Sequence, residues 1–233
     1  EKEAVTIRHL LTMQAGLEWN EHAVSYNSRL NDMNRLIRSN NPVEFFLRKK
    51  LVQEPGTQFT YNCGCTNLLS YIIYRSTEQY IDEFAQENFF IPLAIKNAQW
   101  FVSPHGDIIA GPRIDLLPRD LLKIGELILR NGMWKNKQII SKEWLSDMLY
   151  PSVTVDGWDV DYGFQWWLPD IIHPESQKLL QPYMAGGRGG QWLIVYPEQD
   201  CVLVITGGNY NSEDESYAWH DDFFLPALRV DND

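Results

Sequence analysis

Residues 54–75 read Glu-Pro-Gly-Thr-Gln-Phe-Thr-Tyr-Asn-Cys-Gly-Cys-Thr-Asn-Leu-Leu-Ser-Tyr-Ile-Ile-Tyr-Arg, and the rest of the chain is organised around them. Pro55-Gly56 is a turn signal. Gln58 to Tyr61 is short and rich in aromatic and β-branched residues. After Gly64, with Thr66 as a candidate N-cap, Leu68, Leu69, Ile72 and Ile73 recur at helical spacing. A polar tip that runs straight into a helix with one face to bury is a rigid mount for a side chain. Tyr61 is the side chain it presents.

The chain has 233 residues, enough for a substantial core in one large domain or two intertwined lobes. Its 44% hydrophobic content argues against disorder. The formal charge of −11, with no basic stripe, makes nucleic acid or an anionic membrane surface a poor partner. Solubility accounts for the acidity. No apolar run reaches the roughly 18–20 residues of a membrane span. No signal peptide is visible, which leaves export open. The cysteines, Cys63, Cys65 and Cys201, are odd in number and lack metal-ligand spacing, so neither a disulfide framework nor a zinc site is indicated. With no metal motif and no phosphate loop, no cofactor is proposed.

Read in order, Thr6 to Met13 is a short helix capped by Thr6 and stopped at Gly16. Glu18 to Asn41 is a polar loop with a helical piece near Met33, Leu36 and Ile37. Pro42 to Lys50 is a helix with proline at its first position, burying Phe45, Phe46 and Leu47. Ser76 to Phe90 is a further helix, with Ile81, Phe84 and Ala85 inward and Asp82, Glu83 and Glu87 outward. Ala98 to Val102 is a strand and Ser103 to Asp107 a turn. Leu117 to Asn131 is the clearest helix, and Ser141 caps another that runs to Leu149. Strands follow at Tyr162–Leu168, Gln191–Tyr196 and Cys201–Thr206, the last two joined by a Pro197–Asp200 hairpin. Trp219 to Val230 forms a last helix. Helices, then antiparallel strands, then a helix is an α+β pattern. We expect a single domain over residues 1–233, mainly helical over 1–150, with strands and a final helix over 151–233.

The 54–75 stretch resembles the Pro-Gly-x-x-Phe-x-Tyr-Ser-Asn-x-x-x-x-Leu-Leu region of the serine β-lactamase-related hydrolases. That group includes class C β-lactamases, D-alanyl-D-alanine peptidases (penicillin-binding-protein-like), and esterases and amidases. The resemblance covers nearly the whole chain. Thr6–Leu17 is similar to the family's TIRHLLTHTSGL segment, and Arg119–Gly125 to its RDLAKFG helix. Tyr162-Gly163-Phe164-Gln165-Trp166-Trp167 and Gly189-Gly190-Gln191 are similar to its C-terminal strand landmarks. Together, in the family's order, they imply the β-lactamase/transpeptidase-like fold, a helical lobe on an antiparallel sheet. They also imply a periplasmic or secreted setting. The family's nucleophile stands in Ser-x-x-Lys upstream of the TIRHLL segment. No Ser-x-x-Lys occurs here: Ser25, Ser146 and Ser176 are followed three positions on by Ser28, Leu149 and Leu179. The chain therefore reads as a member without its nucleophile segment, incomplete at the N-terminus.

Acyl transfer by this logic needs a serine, a base, an oxyanion hole and a proton donor for the leaving atom. The resemblance places the family's general-base tyrosine at Tyr61. Residue chemistry alone favours a half-buried turn aromatic at Tyr61, and the surrounding motif is what favours the catalytic position. A free phenol with a pKa near ~10 ionises only at a cost unless a cation is adjacent. The family's following asparagine falls on Cys63, and Asn62 stands one residue early. A thiol cannot reproduce an amide's donors and acceptor, so either substrate amide recognition at Cys63 and Asn62 is altered or the site is not kept for β-lactam chemistry. A catalytic Cys63 is the weaker reading, because no histidine stands in a recognisable dyad motif. His9 reads as a packing or hydrogen-bonding residue. Residues 186–191 occupy the place of the family's Lys-Thr-Gly strand. Arg188 could bind a carboxylate, and Gly189 and Gly190 allow close backbone approach. The same residues fit a glycine-rich turn, but the strand that follows favours an edge strand. Tyr26 and Trp166 are candidate cleft walls.

Three functions fit. The first is a serine hydrolase acting on a small-molecule or peptide amide or ester through an acyl-enzyme, with this chain alone inactive for want of its nucleophile. The second is a non-catalytic module that binds peptide or cell-wall fragments. The third is an interaction protein. The missing N-terminal segment or a second chain is expected to complete the fold.

Overall fold

The computed structural model describes residues 2–210 and 217–230. It falls into two compact units that divide between Leu116 and Leu117. Helices dominate the first and an antiparallel sheet the second, so the α+β expectation holds.

In the first unit, α1 (Ile7–Leu11) starts as expected: the Thr6 hydroxyl accepts the His9 N–H, and His9 Nδ1 accepts the Thr6 N–H. His9 is thus part of a cap. Gly16 stands at φ +70°, and a Cβ there would lie 2.4 Å from Gln53 O, so the close pass of residues 51–53 requires glycine. Leu17 bridges Leu51, and Val52 and Gln53 both donate to Gly16 O. Helix α2 (Asp32–Ile37) is the helical piece in the polar loop, capped by Asn31. Helix α3 (Pro42–Leu47) has Pro42 in its first turn and an Asn41 cap. It buries Phe46 fully, but Leu47, expected inside, is exposed.

Helix α4 (Cys63–Thr77) starts earlier than its sequence suggested. The cap is Asn62, not Thr66: its side-chain oxygen accepts from the N–H groups of Gly64 and Cys65. The first turn is buried, while Leu68, Leu69, Ile72 and Ile73 are half-buried. The expected helix over 76–90 is two elements. Ser76 and Thr77 finish α4, Glu78 stops it in the left-handed region, and α5 (Ile81–Ala85) begins afresh before a π-helical turn, Gln86–Phe90. Strands β1 (Gln99–Trp100) and β2 (Ile114–Asp115) pair at the end of the unit. A cavity of about 170 Å³ lies among Val5, Leu10, Leu17, Phe46, Leu68 and Ile72.

In the second unit, α6 (Pro118–Leu129) ends where Asn131 and Gly132 take positive φ. The hairpin β3 (Met133–Trp134) and β4 (Lys137–Gln138) leads to α7 (Lys142–Met148), capped by Ser141. Then come β5 (Val153–Val155), β6 (Val160–Tyr162), β7 (Trp167–Pro169), the small hairpin β8 (Ile171–Ile172) and β9 (Leu179–Leu180), β10 (Tyr183–Gly187), β11 (Gln191–Tyr196) and β12 (Cys201–Ile205). The six-stranded sheet runs β12-β11-β10-β7-β6-β5. The expected strand over 162–168 is a reversal: Gly163 donates to Trp166 O, Gln165 sits at φ 65°, and β6 pairs back on β7.

Side chains alternate across β11. Val195 packs with Ile128 and Leu145 of α6 and α7, and Ile194 and Tyr196 pack with Leu225 beyond the π-helical turn His220–Phe224. Both faces of the strand are therefore covered. Tyr196 and His220 are fully buried. The Tyr196 hydroxyl lies 2.5 Å from His220 Nε2, and Nδ1 lies 2.7 Å from the Asp221 carboxylate. Nδ1–H donating to Asp221 leaves Nε2 to accept the phenol. Burial holds the His220 pKa below its ordinary value, against the opposing pull of Asp221. A histidine held low binds fewer protons folded than unfolded. Its contribution is complete above the unfolded pKa of about 6.5 and is lost as pH falls from there through the folded pKa. Urea unfolding at pH 7 and pH 5 should therefore show a smaller acid-side loss in His220→Gln than in the native chain. An equal loss in both would remove His220 from the pH response.

Candidate functional site

The mount for Tyr61 is built from both sides. Gly56 donates to Gln14 O, the Gln14 amide donates back to Gly56 O, and Thr60 N–H donates to Met13 O. These bonds fix the chain just before Tyr61. Just after it, Asn62 is 2% exposed and spends its side-chain oxygen on the helix cap. Tyr61 itself is half-buried. The His22 ring lies 5.0 Å from the Tyr61 ring, and the Tyr26 ring lies 6.0 Å from that of His22. The structure thus brings Tyr26 and Tyr61 around His22, a residue that sequence reasoning left in an undifferentiated polar loop.

That loop is held by two buried carboxylates. Asp32 accepts the Asn20 N–H at 2.9 Å, and its own N–H returns to Asn20 O. It also pairs with Lys49 at 2.6 Å and Arg35 at 2.9 Å. The Lys49 ammonium stands over the Trp19 and Phe45 rings, at 5.5 Å and 5.0 Å. Glu21 is 2% exposed. Its Oε2 accepts the Trp19 indole N–H at 2.7 Å and the Cys63 N–H at 3.0 Å, and its Oε1 accepts the Cys63 thiol at 2.9 Å. A charged residue in a polar loop reads as solvent-facing, so no sequence signal marked Glu21.

Cys63 is 6% exposed. Burial first, then Glu21, raises its pKa well above the ordinary thiol value, and the same two causes raise that of Cys65. Nucleophilic chemistry needs the thiolate, and this setting suppresses it. Cys63 points into a carboxylate as a donor. It does not offer an amide to a ligand.

In the second unit, Arg188, Gly189 and Gly190 do not lie on an edge strand. They form the turn between β10 and β11, with Gly189 at φ 85° and Gly190 at φ 83°. Strand β10 is interior, paired with β11 along its length and with β7 at Met184. Two consecutive positive φ values explain the glycines without reference to catalysis. The Arg188 guanidinium stands 5.7 Å from the centre of the Tyr210 ring. Trp166 is half-buried and packs against the Ile128, Leu145 and Val195 cluster.

Among the described residues, no helix is long and apolar enough to cross a membrane. The sequence matches the Beta-lactamase family over residues 1–224. No curated protein sequence matches. Among solved structures, the fold is similar to that of "Putative 6-aminohexanoate-dimer hydrolase from Bacillus anthracis" (TM-score 0.77, 24% identity, 96% of this chain and 61% of that one). It is also similar to a penicillin binding protein from Bacillus halodurans (TM-score 0.69, 16% identity, 94% and 73%). A third is simvastatin synthase LovD from Aspergillus terreus (TM-score 0.68, 15% identity, 96% and 68%). The chain spans 61% of the length of the first of these.

Proposed function

This chain belongs to the β-lactamase family, a superfamily of hydrolases, and from that premise we propose that it is part of a serine hydrolase that cleaves or transfers an amide or ester acyl group, with Tyr61 as general base. One observation carries the reading: Tyr61 is held between two fixed points, the Thr60–Met13 bond and the Asn62 cap. A base must be placed before it can act. A serine oxygen would attack the carbonyl carbon while its proton passes to Tyr61 held as phenolate, the form that an adjacent cation would have to sustain. Tyr61 would then return that proton to the departing amine or alcohol, and water would release the acyl group from the serine by the same exchange. The serine would come from polypeptide outside these 233 residues. Arg188 and the backbone of Gly189 and Gly190 are the proposed contacts of the second unit with a substrate carboxylate or carbonyl.

A second reading, a binding module without chemistry, is favoured by one feature. Residue 63, an asparagine by the family pattern, is a thiol committed to Glu21. Intact mass after treatment with a fluorophosphonate separates the two. We expect a serine adduct on a longer polypeptide in which a Ser-x-x-Lys segment precedes residue 1, and none on the 233 residues alone. In the adduct-forming polypeptide, Tyr61→Phe should lower p-nitrophenyl acetate hydrolysis by about 10²-fold or more. Absence of any adduct on the longer polypeptide supports the binding module, and an adduct on Cys63 would overturn the structural role given to that thiol.

A further inference from the structure

Glu21 is a buried acid that the proposed chemistry does not use. Removing a carboxylate from water is costly unless its oxygens are bonded. Here they take four uncharged donors: the Trp19 indole at 2.7 Å, the Cys63 N–H at 3.0 Å, the Cys63 thiol at 2.9 Å and the Tyr26 hydroxyl at 3.4 Å. Two of these come from the loop and two from the first residue of α4. The Cys63 N–H is one of the first-turn groups that a helix cannot satisfy internally, so the carboxylate sits at the positive end of a 15-residue helix. The next residue in the chain, His22, places its ring 5.0 Å from the Tyr61 ring.

We propose that Glu21 is a positioning residue for Tyr61: by gathering Trp19, Tyr26 and Cys63 on one carboxylate, it locks the loop to the start of α4 and so sets the His22 ring beside Tyr61, with Tyr26 against His22. The proposal rests on the reading of Tyr61 given above. It also assigns residue 63 to this clamp and not to substrate recognition.

Two variants of the full chain test it, with two readouts that need no activity. The first readout is the nuclear Overhauser contact between the His22 and Tyr61 rings. The second is the rate at which iodoacetamide modifies Cys63, with Cys201 as internal reference. Glu21→Gln keeps the shape, and the thiol and phenol hydroxyl can rotate to accept from the new amide. The ring contact should survive in this variant. Loss of the negative charge should ease thiol ionisation and raise the Cys63 rate severalfold relative to Cys201. Glu21→Ala removes the clamp and should abolish the ring contact. The proposal is overturned if Glu21→Ala keeps the contact, or if Glu21→Gln leaves the Cys63 rate unchanged. Should Glu21→Ala fail to fold, the Glu21→Gln rate decides alone. Hydrolysis that is indifferent to Tyr61→Phe would sink the catalytic reading while leaving both readouts standing.

Discussion

Asp32→Asn is expected to lower the free energy of unfolding by about 3–5 kcal/mol, the cost of breaking a buried pair by removing one partner. The Asp32 side chain is 3% exposed and that of Lys49 10%. Asparagine has nearly the same shape but no charge, so the Lys49 ammonium would remain largely out of water, over the Trp19 and Phe45 rings, without its counter-charge. The new amide also turns its NH2 either on Lys49 and Arg35, which now share Oδ1, or on the Asn20 N–H, which now donates to Oδ2. Arg35 provides the control. Its side chain is 52% exposed, so Arg35→Ala should cost under about 1 kcal/mol despite contacting the same carboxylate. Urea unfolding followed by far-ultraviolet circular dichroism measures both. Similar small losses for the two variants would mean that Lys49 reaches water once released, and that the pair does not anchor the loop.

Phe46→Ala should cost a comparable ~3–5 kcal/mol. Phe46 is fully buried and meets the Trp19 ring edge-on at 5.8 Å. It lies so close to α4 that a Cβ on Gly64 would fall 2.4 Å from its ring. The ring also lines the 170 Å³ cavity. Deleting it enlarges an existing void, and the cavity penalty grows with the volume left unfilled. Phe46→Leu retains part of the contact and should recover part of the loss. A truncation that costs under about 1 kcal/mol would show that α3 and α4 close on each other freely.

Much of the fold was legible because its causes are local. Thr6, Pro42 and Ser141 mark helix starts through groups that act within a single turn, and Pro197 to Asp200 marks a hairpin by turn chemistry alone. The misreadings share a different origin. Asn62 and Thr66 are both capping types, and local rules do not choose between them. The choice fell to Asn62 because the Cys63 N–H one residue later is taken by Glu21, from 42 positions away. The aromatic run at 162–168 reads as one strand. It reverses at Gly163, where a Cβ would come within 2.2 Å of Met148 O. At 188–190 the glycines fit both close approach and a turn, the strand that follows favours an edge strand, and only the pairing of β10 with β11 shows that they turn.

By itself the sequence determined the α+β order, the main helices, and a tyrosine mounted on a turn that enters a helix. It also carries the signature of the β-lactamase family. The tertiary structure decided which charges are buried. Asp32 and Glu21 sit in a polar, asparagine-rich stretch where exposure is the default, because a buried charge is costly until partners are supplied. Those partners, Lys49 for one and Cys63 for the other, arrive only when the chain has folded back on itself.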